Sequence, residues 1–107
     1  MNVLDELDRI LAERRNAAPE DSYVAGLYAA GLNRILEKVG EEASEVIIAA
    51  KDLETGGSPE QLVKEVADLW FHSLVMLHHL DLEHTAVLKV LEERFGISGL
   101  EEKRSRG

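Results

Sequence analysis

The sequence predicts an all-α domain, a four- to five-helix bundle subunit that is completed by dimerisation. Three observations favour this fold class. Apolar residues recur at intervals of three and four along most of the chain, which is the period of an amphipathic helix. Leu, Glu and Ala are the commonest residues, whereas aromatic residues make up 5% of the sequence, so helix formers prevail. With 107 residues and a 45% hydrophobic content, the chain can bury one core, as a single domain over residues 1–107.

Net charge and residue usage exclude several classes of protein. A formal net charge of −9 argues against nucleic-acid binding, because phosphate backbones are bound by clustered Lys and Arg. The sequence has no cysteine, so it can form neither a disulfide nor a thiolate metal site. No apolar run approaches the roughly 18 residues of a transmembrane helix, and residues 1–15 lack a signal-peptide apolar region. We therefore expect a soluble cytoplasmic protein without a membrane partner.

Two short helices are predicted at the start of the chain. The first covers residue 2 to about residue 15, where the apolar positions have helical spacing: Val3, Leu4, Leu7, Ile10 and Leu11. Pro19 and the small polar residues around it predict a connection over residues 16–21. Ser22 can cap a second helix from Tyr23 to about Ala30, and Gly31 ends it.

Two long helices are predicted next. The first runs from Leu32 to about Leu53, and the second covers residues 59–80. Ser58, Pro59 and Gln61 have the order of an N-cap, an N1 proline and an N3 glutamine in a capping box. This motif fixes the start of the second long helix.

The last helix is predicted at residues 82–95, with Asp81 as its cap and Gly96 as its end. Its apolar side consists of Leu82, Val87, Leu88, Leu91 and Phe95. The tail, residues 96–107, has no periodicity, so it is predicted to be flexible.

Dimerisation is predicted from the composition of helix 59–80. Apolar residues cover far more than half of its circumference: Leu62, Val63, Val66, Ala67, Leu69, Phe71, Leu74, Val75, Leu77 and Leu80. A helix that is apolar nearly all round lies at the centre of its bundle, and one neighbouring helix cannot cover it. In so small a chain we expect this surface to pack against a second copy, in a homodimer.

Two pairs of carboxylates lie on the two long helices. Glu42 and Glu45 are three residues apart, as are Glu65 and Asp68, so each pair projects from one helix face. At roughly 100° per residue, each pair lies on the flank of an apolar stripe; the first stripe is Val39, Ala43, Val46 and Ala50. Packing by these stripes would bring the four carboxylates together beside a buried seam.

Such a cluster predicts a site for a hard divalent cation. Carboxylates beside a buried seam repel one another and lose hydration, and both effects are costly. Mg2+ takes oxygen ligands, keeps several waters and bridges carboxylates to substrate phosphates. We therefore expect a Mg2+ site for phosphate chemistry with the ligands Glu42, Glu45, Glu65 and Asp68.

The sequence around these carboxylates resembles a known family. E-x-x-E, followed after the 19 residues 46–64 by E-x-x-D, resembles the metal-binding signature of the MazG-like all-α nucleoside triphosphate pyrophosphohydrolases. Within that superfamily, residues 38–51 (KVGEEASEVIIAAK) and 65–72 (EVADLWFH) resemble phosphoribosyl-ATP pyrophosphohydrolase. A Ser-Gly-x-Glu-Glu-Lys string near the C-terminus extends the resemblance to most of residues 22–106.

The resemblance implies an activity and further site residues. The activity is Mg2+-dependent hydrolysis of phosphoribosyl-ATP to phosphoribosyl-AMP and pyrophosphate, the second step of histidine biosynthesis. Ser22 and Tyr23 stand where the family forms the substrate end of the site, although a cap and a packing aromatic would explain them equally well. Arg94 stands where the family often has arginine, as a phosphate contact or as a helix C-terminal charge. Phe71 departs from the commoner tyrosine.

The roles of several polar residues near the carboxylates can be interpreted in more than one way. Glu41 lies roughly 100° from Glu42 and fits a solvent-exposed residue, a group behind the metal ligands or a water-orienting base. His72, one turn beyond Asp68, fits a structural role or a contact with the metal or its ligands. The remaining histidines are predicted to be structural: His78, His79 and His84.

Three lysines lie on or near the acidic helices and can meet the charge of a polyphosphate: Lys38, Lys51 and Lys64. Each can equally pair with a carboxylate one turn away. Lys38 precedes Glu42 on the same flank, so it is the best placed for a phosphate contact.

Other functions fit parts of the pattern. A housecleaning pyrophosphatase of ordinary or aberrant nucleoside triphosphates would use the same metals and chemistry. A non-enzymatic helical dimerisation module would explain the apolar faces, and the flanking carboxylates argue against it. A di-iron carboxylate bundle requires Glu-x-x-His on two helices, which this sequence lacks.

Overall fold

The computed structural model describes residues 2–96, which form five α-helices and one 3₁₀ turn. In chain order these are α1 (Val3–Arg14), the 3₁₀ turn (Pro19–Asp21), α2 (Tyr23–Ala30), α3 (Leu32–Glu54), α4 (Pro59–His79) and α5 (His84–Phe95). Residues 2–96 contain no strand, so the all-α prediction is confirmed. The predicted tail lies, apart from Gly96, outside the described residues. No helix within residues 2–96 is long and apolar enough to cross a membrane.

The two longest helices, α3 and α4, form an antiparallel hairpin around a tight turn. Gly57 donates its N–H to the Asp52 carbonyl at 2.7 Å, and a Cβ on Gly57 would lie 2.7 Å from the Asp52 carbonyl carbon. Only glycine permits this approach. The Ser58 hydroxyl oxygen accepts the Gln61 N–H at 3.2 Å, which confirms the predicted N-cap. The turn therefore sets the start of α4 directly against the end of α3.

Helix α2 and the α2–α3 corner cover the other end of this hairpin. Ser22 caps α2 by accepting the Ala25 N–H at 3.3 Å, as the sequence predicts. Gly31 adopts a φ of 97° and donates its N–H to the Leu27 carbonyl at 3.1 Å, so it ends α2 and lets α3 begin at once. The buried core lies where α1, α2, α3 and α4 meet: Leu11, Val24, Leu27, Tyr28, Ile35 and Val75.

The connection between α4 and α5 differs from the prediction. Helix α5 begins at His84, two residues later than predicted, and its N-cap position is Glu83. Asp81 does not cap α5, because it adopts a left-handed φ of 62° and its carboxylate accepts from Arg15 at 2.8 Å. Arg15 also donates to the His78 carbonyl at 2.7 Å, so the same guanidinium caps the C-terminus of α4.

Histidines on α4 and α5 attach both helices to α1. The buried His84 lies between Asp5 and Asp8, with its ring nitrogens 3.2 Å and 3.3 Å from their oxygens. His78 Nε2 lies 2.6 Å from the same Asp8 oxygen. His79 stacks on Tyr28, with ring centroids 6.1 Å apart. All three histidines therefore make contacts between helices.

Large apolar side chains remain exposed on two surfaces of the described chain. On α3 and α4 they are Leu36, Ile47, Ile48, Val63 and Trp70, and on α5 they are Val87, Val90, Leu91 and Phe95. Residues 2–96 extend over 51 × 43 × 22 Å, so these helices are spread rather than closed on one another. Apolar patches of this kind mark interaction surfaces in soluble proteins.

The Asp8 contacts predict a pH-dependent stability. Burial would raise the pKa of Asp8, but hydrogen bonds and charges from His78 and His84 outweigh it and lower that pKa. A carboxyl with a lowered pKa stabilises the fold above its unfolded value, 3.8, and the contribution is lost as the pH falls. Asp8→Asn is therefore expected to lower the free energy of unfolding at neutral pH by about 1–3 kcal/mol. The loss should shrink in acid.

Urea denaturation of the wild type and the variant at neutral and acidic pH measures both effects. Asp21→Asn serves as the control, because Asp21 is exposed on the 3₁₀ turn. An Asp8→Asn loss that is the same at both pH values would show that the ionised carboxylate is not what stabilises this junction.

Candidate functional site

A carboxylate is buried in the seam between α3 and α4. On α3 the buried residues are Ile35, Glu42 and Ala49, which recur every seven positions. The stripe predicted to be central is only half-buried at Val39, Ala43 and Val46, and Ala50 is exposed. The buried stripe of α3 therefore lies further around the helix than predicted. One sequence does not show which part of a wide apolar face packs against its own chain. Glu42 lies in the seam instead of on its flank, at 6% exposure.

Three of the four predicted metal ligands converge at this seam. Carboxylate oxygens of Glu42, Glu45 and Glu65 all lie within 4.8 Å of one another, and we call these residues the carboxylate cluster. Asp68 is exposed and does not join that group. Its charge nevertheless acts on both Glu42 and Glu65, so it lies close to the cluster.

The pKa values of the three cluster carboxylates are shifted in different directions. Burial, followed by the hydrogen bond and charge of Glu45, raises the pKa of Glu42. A hydrogen bond with Glu45, followed by burial, raises the pKa of Glu65. Hydrogen bonds from Glu65 and Glu42 lower the pKa of Glu45. The raised pKa values of Glu42 and Glu65 thus reflect burial and repulsion among neighbouring carboxylates.

Two orphaned oxygen atoms show that the cluster fits a metal ion. The Oε2 atoms of Glu42 and Glu65 are buried and have no hydrogen-bond partner within residues 2–96. Buried polar atoms without a partner are costly, so such atoms call for a ligand. All available donors are oxygens, which suits a hard cation such as Mg2+ better than zinc or iron. Glu42, Glu45 and Glu65 would hold it.

Two cations lie at the edge of the cluster. Lys38 Nζ lies 3.0 Å from Glu41 Oε2 and 3.7 Å from Glu42 Oε1, and a hydrogen bond to Glu41 is the main cause that raises the pKa of Lys38. Arg34 lies 3.8 Å from Glu41 and 3.0 Å from Glu37. Glu41 therefore binds cations at the edge and is not part of the converging group.

The other predicted basic residues lie apart from the cluster. Lys51 pairs with Glu54 at 2.7 Å, and both side chains are exposed. Lys64 and Arg94 are exposed, and within residues 2–96 neither forms an ion pair with a cluster carboxylate. The structure thus places Lys38 alone of the four predicted cations beside the site.

A cleft of about 210 Å³ opens beside Glu45 and Glu65, and two of its residues were missed by the sequence analysis. Gln61 donates to Glu65 Oε1 at 2.6 Å and so orients that carboxylate. Asp52 lies seven residues after Glu45, hence on the same side of α3. That heptad spacing could have indicated Asp52. Gln61 precedes Glu65 by four residues on the same flank of α4, and that spacing could have indicated the contact.

A larger cleft of about 490 Å³ lies along α2, and we call it the α2 cleft. Its polar lining includes the predicted Ser22 and Tyr23 together with Arg34, which the sequence analysis missed. Arg34 lies one turn before Lys38 on α3, a spacing that could have identified it. Tyr23 also joins the α2 cleft to α4, because its hydroxyl bonds to His72 Nε2 at 2.8 Å.

Comparison with known proteins bears on the chemistry of this site. The sequence model of a family described as phosphoribosyl-ATP pyrophosphohydrolase matches residues 4–95. A curated protein of Hydrogenovibrio crunogenus (strain DSM 25203 / XCL-2), named phosphoribosyl-ATP pyrophosphatase, is 52% identical over 105 residues. The similarity covers 98% of this chain and 93% of that relative. Both matches include the carboxylate cluster and the α2 cleft.

The buried charge predicts that Glu42→Gln stabilises the protein in the presence of a chelator. A carboxyl whose pKa is raised on folding costs stability as the pH rises through its ordinary value, 4.5, and beyond. The neutral amide removes that cost, so we expect the free energy of unfolding at neutral pH to rise by about 1 kcal/mol. In acid the two proteins should be equally stable.

Thermal denaturation with a chelator and with MgCl2 measures the effect. Added Mg2+ should stabilise the wild type by mass action but not Glu42→Gln. Glu54→Gln is the matched control, because Glu54 lies on the same helix and is exposed. If Glu42→Gln is destabilised in chelator to the extent of an ordinary core mutation, the buried carboxylate is part of the packing and not a metal ligand.

Proposed function

The chain belongs to the phosphoribosyl-ATP pyrophosphohydrolase family, and from this premise we propose how its carboxylate cluster takes part in the reaction. The enzyme is a hydrolase of histidine biosynthesis, which converts phosphoribosyl-ATP and water to phosphoribosyl-AMP and pyrophosphate. One observation supports the proposal that the reaction takes place at this cluster. Oxygens of three carboxylates lie within 4.8 Å of one another, and two buried oxygens of the cluster have no hydrogen-bond partner within residues 2–96.

We propose that the cluster holds Mg2+. Glu42, Glu45 and Glu65 supply oxygens, and the neighbouring Asp68 is the fourth carboxylate of the site. When bound, Mg2+ would neutralise charge on the triphosphate and make the attacking water more acidic. Glu42 and Glu65 would serve as ligands in the ionised form, so their raised pKa values would make cation binding stronger at higher pH.

The reaction itself requires little covalent chemistry from the protein. Water attacks the α-phosphorus, the bond from that phosphorus to the bridging oxygen breaks, and pyrophosphate leaves with the bonding electrons. The protein orients the water and the phosphates and compensates their charge. Lys38 and Arg34 serve that purpose, because each already lies at the edge of the site in exchangeable ion pairs with glutamates. Phosphate contacts stay a prediction for three other basic residues: Lys51, Lys64 and Arg94.

We propose that two copies of this chain associate through the exposed apolar face of the α3–α4 hairpin. Val63 and Trp70 lie seven residues apart on one face of α4, at 68% and 61% exposure, and Ile47 on α3 is 64% exposed. Exposed apolar patches of this kind favour association, and a dimer would cover this one. The net charge of −9 would keep such a dimer soluble. A cytoplasmic location stays a prediction.

The metal proposal predicts that Glu45→Gln abolishes turnover without loss of the fold. The rate of pyrophosphate release from phosphoribosyl-ATP should fall at least about a hundredfold, because a metal ion contributes several kcal/mol of transition-state stabilisation. Glu54→Gln, on the exposed end of the same helix, should keep wild-type rates. Full chelation of divalent ions should silence the wild type as well. Turnover that survives chelation would exclude the metal mechanism.

The dimer proposal predicts that Val63→Glu yields a monomer. The sequence has one tryptophan, so Trp70 fluorescence reports on this face alone. Wild-type emission should indicate a buried indole, and Val63→Glu should shift it to longer wavelength while light scattering shows half the mass. Val3→Glu is the control, because Val3 is 79% exposed on α1. A wild-type monomer with solvent-exposed Trp70 emission would refute the proposed interface.

A further inference from the structure

Helix α5 is attached to the rest of the molecule at its first residue. Among the residues of α5, His84 alone is buried, and its side chain is 5% exposed. Large apolar residues further along the helix remain exposed, and Phe95 reaches 69%. Within residues 2–96, the only hydrogen bonds that join α5 to another helix are those of the His84 ring. The contacts of this ring therefore decide how α5 is held.

Both nitrogens of the His84 ring face carboxylate oxygens of α1. Nε2 lies 3.2 Å from Asp5 Oδ1, and Nδ1 lies 3.3 Å from Asp8 Oδ1. A neutral imidazole carries one proton, so one of its nitrogens would point a lone pair at a carboxylate. Both contacts are attractive only when both nitrogens carry protons. The geometry thus fits the imidazolium form of His84, whose charge the two aspartates compensate.

His78 of α4 approaches the same Asp8 oxygen but has a different set of contacts. Its Nε2 lies 2.6 Å from Asp8 Oδ1, and its Nδ1 has no hydrogen-bond partner within residues 2–96. His78 can therefore donate to Asp8 in its neutral form, through one proton on Nε2. The contact of His78 survives the loss of a second proton, whereas one contact of His84 does not. We call Asp5, Asp8, His78 and His84 the α5 junction.

Other titratable groups at the α5 junction keep their charge where an imidazole ordinarily changes its own, between about pH 5 and 8. Asp8 stays ionised, because hydrogen bonds and charges of the two histidines outweigh its burial and lower its pKa. Burial raises the pKa of Tyr28 on α2, while the charges of Arg15 and Asp8 act on it in opposite directions, so the phenol stays neutral. The Arg15 guanidinium stays charged and bonds to Asp81 at 2.8 Å. A change of charge in this range therefore comes from the two histidines.

We propose that His84 is a pH-sensitive attachment, which holds α5 against α1 while both of its nitrogens carry protons and releases the helix when one proton is lost. After that loss a lone pair faces Asp5 or Asp8, so a repulsion replaces an attraction. The contribution of His84 is therefore lost as the pH rises, whereas that of Asp8 is lost as the pH falls. No residue of the α5 junction belongs to the carboxylate cluster or lines either cleft, so the inference does not rest on the proposed function.

Amide hydrogen exchange of the wild type, measured by NMR as protection factors over a range of pH, tests the release. A detached helix of 12 residues is marginal in water, so the protection of α5 should fall at least about tenfold, as expected for a lost charged hydrogen bond. The fall should have the same midpoint as the loss of a proton from the His84 ring, and α3 should keep its protection. Constant α5 protection through the His84 titration, or an equal fall in α3, would overturn the proposal.

Asp5→Asn should remove the need for the second proton. An asparagine amide can accept from a protonated Nε2 or donate to a bare one, so the fall of α5 protection with pH should shrink to less than about twofold. Glu6→Gln is the matched control, because the two side chains have nearly equal exposure, 45% and 47%, but Glu6 pairs with Arg9. A fall of wild-type size in Asp5→Asn, or the loss of the fall in Glu6→Gln, would contradict the assigned contacts and overturn the proposal.

Glutamine substitutions separate the two histidines. His78→Gln keeps a donor toward Asp8 and leaves His84 in place, so the wild-type fall of α5 protection with pH should remain. His84→Gln removes the group that loses the proton, so α5 should be weakly protected at every pH, without a step. A step of wild-type size in His84→Gln, or its disappearance in His78→Gln, would show that His84 does not control the attachment of α5.

Discussion

The burial of Glu42 in the seam between α3 and α4 is the constraint on which the rest of the structure depends. Glu42 is 6% exposed, and a carboxyl buried to this extent is costly unless it is protonated or lies near a positive charge. Glu45 forms a hydrogen bond with it, and Lys38 Nζ lies 3.7 Å from its Oε1. A core that served stability alone would place an apolar residue here. The fold thus accepts a local cost at the position where the proposed metal site needs an unsatisfied oxygen.

The remaining elements hold this seam in register. The turn at Gly57 fixes where α4 begins and so sets the register of Glu65 against Glu42 and Glu45 of α3. The core formed by α1, α2 and both long helices locks the opposite end, next to Tyr23 and His72. The two clefts share helix α3. One lies beside the carboxylates of the proposed metal site, and the other has Ser22, Tyr23 and Arg34 in its polar lining.

Sequence reasoning succeeded where the determinant is local and failed where it is distant. Ser22, Gly31 and Ser58 set helix ends through bonds to residues three or four positions away, so their roles could be read directly. Asp81 was misread as a cap because its partner, Arg15, lies 66 positions away. The seam was misplaced on α3 because one sequence does not show which part of a wide apolar face packs against its own chain. Only coordinates show that Asp68 stays outside the converging group, since side-chain rotamers decide it.

The short turn between α3 and α4 has a consequence for the order in which the molecule forms. All three residues of the carboxylate cluster lie on one helical hairpin, and closing so short a loop costs little chain entropy. The bonds of α1 to His78 and His84 instead join residues 70 to 79 positions apart. Local contacts form first in such topologies. We therefore expect the nascent chain to assemble its acidic cluster before α1 packs against α4 and α5.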